Sequence, residues 1–266
     1  VQSPYPPLAL IFGPFDPCGS SNLPADTVTC ASQGCHALGT VTALLVRDTA
    51  VTESIHPVGP ETIDDQARCV LEDMTVQAIK VGALYTPESA SVVAQIAADY
   101  NHVPLLLHLT GLPDESLVQD TDTEDLQLAM FELLLPQTDI VVVHHLLLEQ
   151  WQSQGVFAGS DADTPAQALL NYGANWVLTT GMPLRPGQGS YLLQGRQNET
   201  ASFPWQAPPA RLADPDGPLT CLITTELARG QSVPDAVNTA VTLSGPMTAR
   251  HFQPGMGLRL VNRSLP

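Results

Sequence analysis

Strand-length runs of consecutive apolar residues constrain this chain more than any other feature. They recur at Leu8 to Phe12, Val41 to Val46, Ala78 to Val81, Leu105 to Leu109, Ile140 to Val143, Trp176 to Thr179 and Tyr191 to Leu193. Several are apolar at successive rather than alternate positions, so both faces of those strands must be buried. That requires helices on both sides of a mostly parallel sheet, a three-layer α/β sandwich. Helical spacing fills the intervals: Val92, Val93, Ile96 and Ala97 within Ser89 to Tyr100, and Leu126, Met130, Leu133 and Leu134 within Glu124 to Leu135. Leu219 to Arg229 and Val233 to Leu243 read as two further helices after a proline-rich stretch, while Tyr191 to Leu193 and Ala201 to Trp205 read as an antiparallel hairpin at the sheet edge. No internal repeat or sharp composition shift divides the chain, so residues 1–266 are expected to form one domain.

Charge narrows the partners. Acidic residues outnumber basic ones by 27 to 10, a formal net charge of -17, which argues against nucleic acid or an anionic membrane. Lys80 is the only lysine, and such an acidic, lysine-poor surface suits either a high-salt habitat or plain compositional drift. The five cysteines are scattered without a CxxC pair, so neither a disulfide framework nor a zinc site is signalled. No apolar run reaches membrane-spanning length and the first residues lack a signal-peptide pattern; a soluble, cytoplasmic protein is expected.

Two turns are placed to handle an anion, since a bare backbone between strand and helix lets several N–H groups converge on it. One runs from Gly13 to Asp26 and the other from Asp214 to Thr220; neither matches a P-loop or a dinucleotide fingerprint. The first turn, followed by Gln33-Gly34-Cys35-His36-Ala37, Thr40-Val41-Thr42-Ala43-Leu44 and Asp48-Thr49, resembles the hydroxymethylpyrimidine/phosphomethylpyrimidine kinases, thiamine-pathway members of the ribokinase-like fold. Ala78-Ile79-Lys80-Val81-Gly82, Thr180-Gly181 and Glu226-Leu227-Ala228-Arg229-Gly230 extend the resemblance over nearly the whole chain. It implies a ribokinase-like sandwich, a homodimer, and ATP with magnesium as cofactors if the chain is active. It also implies a pyrimidine pocket around Asp16, Asp26, Arg47, Ala83 and His108, and a nucleotide site around Lys80, His144, Thr180, Gly181 and Asp214.

Where the family's motifs carry chemistry, this chain departs from them. Arg47 matches a glutamine that bonds the pyrimidine, and a guanidinium has no acceptor to offer. Ala83 matches a pocket methionine, His108-Leu109 an Asp-Pro pair, and His144 and Leu147 an asparagine and a glutamate that organise magnesium and phosphates. The glycine-small-glycine turn ending in the family's catalytic cysteine or aspartate becomes Asp214-Pro215-Asp216-Gly217, with Gly217 at the position of the base. A carboxylate about 4 Å from a phosphate oxygen costs roughly 1 to 4 kcal/mol, and Pro215 removes an N–H donor.

Plainer readings stand beside these. Asp16 and Asp26 read either as turn and helix-cap residues or as ligand contacts, and Lys80 either reaches phosphate or snorkels from a strand end. His108 suits a core histidine, and His144 and His145, adjacent on a strand, are expected on opposite faces and not as a metal pair. The substitutions favour a divergent family member with weak or lost kinase activity and a binding or regulatory role. The alternatives are an active kinase with Asp216 as displaced base, and a kinase for another small molecule whose anionic group meets Arg47.

Overall fold

A computed structural model describes residues 5–118, 121–159, 161–185, 188–205 and 207–264. Among these residues the elements run in chain order β1 (Leu8–Phe15), α1 (Asn22–Ser32), β2 (His36–Arg47), β3 (Thr52–Pro57), α2 (Pro60–Asp73), β4 (Ala78–Val81), α3 (Pro87–Asp99), β5 (Leu105–Leu109), α4 (Thr123–Ala129), β6 (Ile140–His144), α5 (His145–Ser153), α6 (Pro165–Asn171), β7 (Trp176–Arg185), β8 (Gln188–Gly195), β9 (Thr200–Trp205), α7 (Gly217–Ala228), α8 (Val233–Ala249), β10 (His251–Phe252) and β11 (Leu260–Val261). β1 to β9 form one sheet in the order β3-β2-β1-β4-β5-β6-β7-β8-β9. Its centre, β2 through β7, is parallel; β3, β8 and β9 add antiparallel edges, and β8 and β9 are the expected hairpin, Tyr191 facing Phe203. β10 and β11 pair separately.

The consecutive apolar runs are divided between the two faces by the pleat. Leu10, Phe12, Ile79, Val81, Leu105, Leu107, Val141 and Val143 pack on one side with residues of α2 to α6. Ala9, Ile11, Ala78, Leu106, Ile140, Val142 and Leu178 pack on the other with α1, α7 and α8. The helix expected over Glu124 to Leu135 is regular only to Ala129; a π-turn over Met130–Leu134 follows, then a 3₁₀ turn at Leu135–Gln137 that holds Pro136.

Lys80 lies on the α1/α7 face of β4, 1% exposed. Its ammonium is ion-paired with Asp26 of α1, whose other oxygen accepts a hydrogen bond from the Cys221 thiol of α7 at 3.0 Å. Burial alone pushes a lysine towards neutrality, but Asp26, with smaller help from Cys221 and Asp214, raises the Lys80 pKa above its ordinary value. Removing one partner strands the other's charge. Asp26→Ala is therefore expected to cost about 3 to 5 kcal/mol, and the double change Asp26→Leu with Lys80→Met to recover most of it, read from urea denaturation midpoints.

Candidate functional site

The carboxyl ends of the parallel strands meet the start of α7, where open α/β sheets bind ligands. Between β1 and α1 the chain turns around Asp16, which is buried. Its Oδ1 accepts the Cys18 N–H at 2.9 Å, and its Oδ2 accepts the N–H groups of Ser20 and Ser21 at 3.1 and 3.0 Å and their hydroxyls at 2.5 and 3.1 Å. Three N–H donors of the turn before α1 are thus spent on a carboxylate of the chain itself. Arg47, at the end of β2, lies with Nε 3.8 Å from Asp16 Oδ1.

His108, on β5, shares the α1/α7 face and is 7% exposed, with no hydrogen bond among the described residues. Burial, reinforced by Lys80, lowers its pKa to about 3, so the ring is neutral. His144 ends β6 and His145 begins α5, so the alternation expected of a continuous strand does not apply; the two rings stand 4.6 Å apart. His144 Nδ1 accepts the Leu146 N–H at 3.3 Å. Gly181 passes over these rings at φ 68, and a Cβ there would lie 2.7 Å from His144 Nε2, so only glycine fits.

The start of α7 carries two carboxylates. Asp216 is 8% exposed, and the Thr180 hydroxyl donates to its Oδ2 at 2.6 Å. Burial raises its pKa to about 6 against the Thr180 bond, with Asp214 adding a further upward push. Asp214, in the left-handed region at φ 46, curls back so that its carboxylate fills the space a Cβ on Gly217 would enter. Burial raises Asp214 also, opposed by Lys80 and Arg263. The Gly217 N–H is bonded to the Asp214 carbonyl at 3.2 Å and the Thr220 N–H to the Asp216 carbonyl at 3.0 Å, while Pro218 has no N–H. The helix start offers few donors to an external anion.

Two cavities adjoin there. One, about 340 Å³, lies among Ser20 to Asn22, Arg47, Ala83, Tyr85, His108, Leu147 and Asp214; the other, about 250 Å³, lies among Tyr191, Trp205, Pro208, Val241 and Pro246. His144, Pro215 and Asp216 belong to both. The structure thus gathers Arg47, Ala83, His108, His144, Asp214 and Asp216, whereas Asp16, Asp26, Lys80, Thr180, Gly181 and Gly217 stand behind the walls or brace them. Tyr85, Tyr191 and Trp205 were not legible as site residues. Trp205 lies on a short edge strand and is half-buried against the core, so nothing in its spacing set it apart from an ordinary core aromatic.

Tyr191, Trp205, Pro208, Val241 and Pro246 give the smaller cavity apolar wall for a heterocycle such as a purine, among the polar Thr242, Ser244 and Thr248. Its lining includes neither lysine nor arginine, and its inner end carries Asp216, so the triphosphate end does not fit. Among the described residues no group of three or more histidine, cysteine, aspartate or glutamate side chains can hold a metal.

The chain is thus a three-layer α/β protein with two adjoining cavities at the strand ends of its sheet. The phosphomethylpyrimidine kinase family model matches residues 16–262, and the chain belongs to that family. It is 29% identical to the hydroxymethylpyrimidine/phosphomethylpyrimidine kinase of Mycobacterium tuberculosis over 242 residues, 88% of this chain and 85% of that protein. To the Streptomyces coelicolor kinase of the same description it is 26% identical over 249 residues, 92% and 90% of the two chains. Its fold superposes on Bacillus subtilis pyridoxal kinase in an ADP complex with a TM-score of 0.80 at 18% identity, covering 96% of each chain. Clostridium difficile phosphomethylpyrimidine kinase gives 0.70 at 19% identity, over 90% of this chain and 98% of that one. The ribokinase-like sandwich expected from the sequence is the fold observed.

Asp216 supplies a pH test. Its folded pKa, about 6, lies above the roughly 3.9 of an unfolded aspartate, so the native state binds more protons in that window. Stability should therefore fall as pH rises from about 4 to 6, by on the order of 3 kcal/mol. Asp216→Asn is expected to flatten that slope and to melt higher than the parent at pH 7.5, measured by calorimetric melts across the range.

Proposed function

We propose that this chain is a small-molecule-binding member of the phosphomethylpyrimidine kinase family in which phosphoryl transfer is weak or lost, with a binding or regulatory role linked to thiamine-type pyrimidines. The observation that carries the reading is the charge at the start of α7, where Asp214 and Asp216 stand at the junction of the two cavities. A nucleotide's γ-phosphate would have to enter between them, against repulsion of roughly 1 to 4 kcal/mol per carboxylate and with few N–H donors to offset it. The ligand capacity itself is retained in the larger cavity. The five cysteines are all free, and a reducing cytoplasm is the setting we propose for them.

Coupled initial-rate assays with Mg-ATP and hydroxymethylpyrimidine, or its phosphate, test the reading. Turnover at least ~100-fold below the 1 to 100 per second usual for kinases is expected, as is ATP binding too weak for calorimetry at tens of micromolar. Turnover within that usual range would overturn it.

One observation favours a second reading, an active kinase with a carboxylate base. Sequence spacing points to Asp216 as that base, but its carboxylate is engaged by Thr180, whereas Asp214 reaches the space of a residue-217 side chain. If transfer is measured, Asp214→Asn should lose ~100-fold or more in kcat, and Asp216→Asn distinctly less.

A further inference from the structure

We propose that the larger cavity selects a cationic amine carried on a small heteroaromatic ring, and rejects the matching phosphate ester, through the Asp214 carboxylate and the His108 imidazole. The inference rests on reading this cavity as a ligand site, and adds the charge class of the ligand.

The charges around the cavity pair off unevenly. Asp16 of the β1–α1 turn faces Arg47 of β2, and Asp26 of α1 is matched by Lys80 of β4. Arg47 Nε also donates to the Asp48 carbonyl at 3.2 Å, which holds its guanidinium at the rim. From the start of α7 come Asp214 and Asp216, and against Asp214 stand Lys80, already paired with Asp26, and Arg263, whose Nε bonds Thr29 at 3.0 Å. His108 of β5 and His144 of β6, both with lowered pKa, bring no offsetting charge at neutral pH. Once Asp216 ionises, above about pH 6, the cavity carries excess negative charge.

His108 is the independent sign of a ligand. A polar ring that is 7% exposed ordinarily finds a hydrogen-bond partner, yet this one has none among the described residues and lies on the cavity wall. A neutral imidazole offers one donor and one acceptor to a heteroaromatic edge without repelling a cation. Tyr85, Leu109 and Leu147 supply apolar wall for the ring, and about 340 Å³ lies at the small-ligand end of known pockets. Rejection of the ester follows from the same carboxylates, which select by repulsion as much as by attraction.

Titration calorimetry without nucleotide tests this with three probes: hydroxymethylpyrimidine, its phosphate ester, and the analogue bearing an aminomethyl group in place of the hydroxymethyl. At pH 7.5 the aminomethyl compound is expected to bind at least about tenfold more tightly than the alcohol, with the ester weakest, and the preference to narrow at pH 5 as Asp216 takes up its proton. Asp214→Asn, a change the left-handed turn accepts, should bring amine and alcohol within about threefold of each other. His108→Leu, checked by thermal melts, should weaken all three while leaving their order intact. Equal or tighter binding of the ester, a preference that survives Asp214→Asn, or no binding of the amine would overturn the proposal. Kinase turnover in the assay above would instead overturn the loss of phosphoryl transfer and leave this charge preference standing.

Discussion

A lysine cannot keep its charge inside an α/β sandwich unless something answers it there, and Lys80 is answered by Asp26. Because that carboxylate also accepts the Cys221 thiol, the pair ties α1, β4 and α7 together at one level of the core. Arg263 reaches Thr29 on the same helix and fastens the end of the chain to it. The height of α1 fixes the turn that Asp16 organises, and the height of α7 fixes where its first residues meet the strand ends. Both cavities depend on that alignment, although neither Lys80 nor Asp26 lines either of them.

A helix start favours negative charge, because its unpaired N–H groups and its dipole present a partial positive charge. In α1 and α7 alike the chain supplies that negative charge itself. Asp16 collects the donors before α1, and Asp214 and Asp216 stand at the start of α7. An anion from solution would have to displace a tethered carboxylate whose effective concentration is far higher than its own. The same physics that makes such sites attractive to phosphate here closes them, without any change in the course of the main chain through the sandwich.

The fold was legible because burial on both faces forces consecutive apolar residues, and that pattern survives wide sequence change. β4 and β5 begin and end where the apolar runs do. β3, α2, α5 and α6 were not anticipated. β3 is a short edge strand with one buried residue, and α2 is polar except for the stripe of Ile63, Ala67 and Leu71. Their signals were in the caps: Pro60 and Pro165 each occupy a first helical position, the latter after Thr164. In the site, Arg47, Ala83, His108, His144, Asp214 and Asp216 could be named because each replaces a motif residue. Their orientation could not. Nothing in the spacing told that Asp216 turns to Thr180 while Asp214 curls over Gly217, since that depends on a backbone turn and on an element 36 residues earlier in the chain.

The costs held at this turn bear on how it is used. Among the described residues four non-glycine positions adopt positive φ, and two of them, Asn22 and Asp214, line the larger cavity. Each such residue costs on the order of 1 kcal/mol, and burial of the Asp216 carboxylate adds to it at neutral pH. Left-handed backbone persists only where the surroundings over-determine it, and here they do: Asn22 is held behind the Asp16 turn, and Asp214 by the Gly217 N–H against its carbonyl. A surface whose function had simply lapsed would gain stability by losing these features one substitution at a time. Two strained residues and a buried carboxylate around one cavity, next to an imidazole with no hydrogen bond among the described residues, are the arrangement expected where a ligand of complementary charge offsets the strain when it binds.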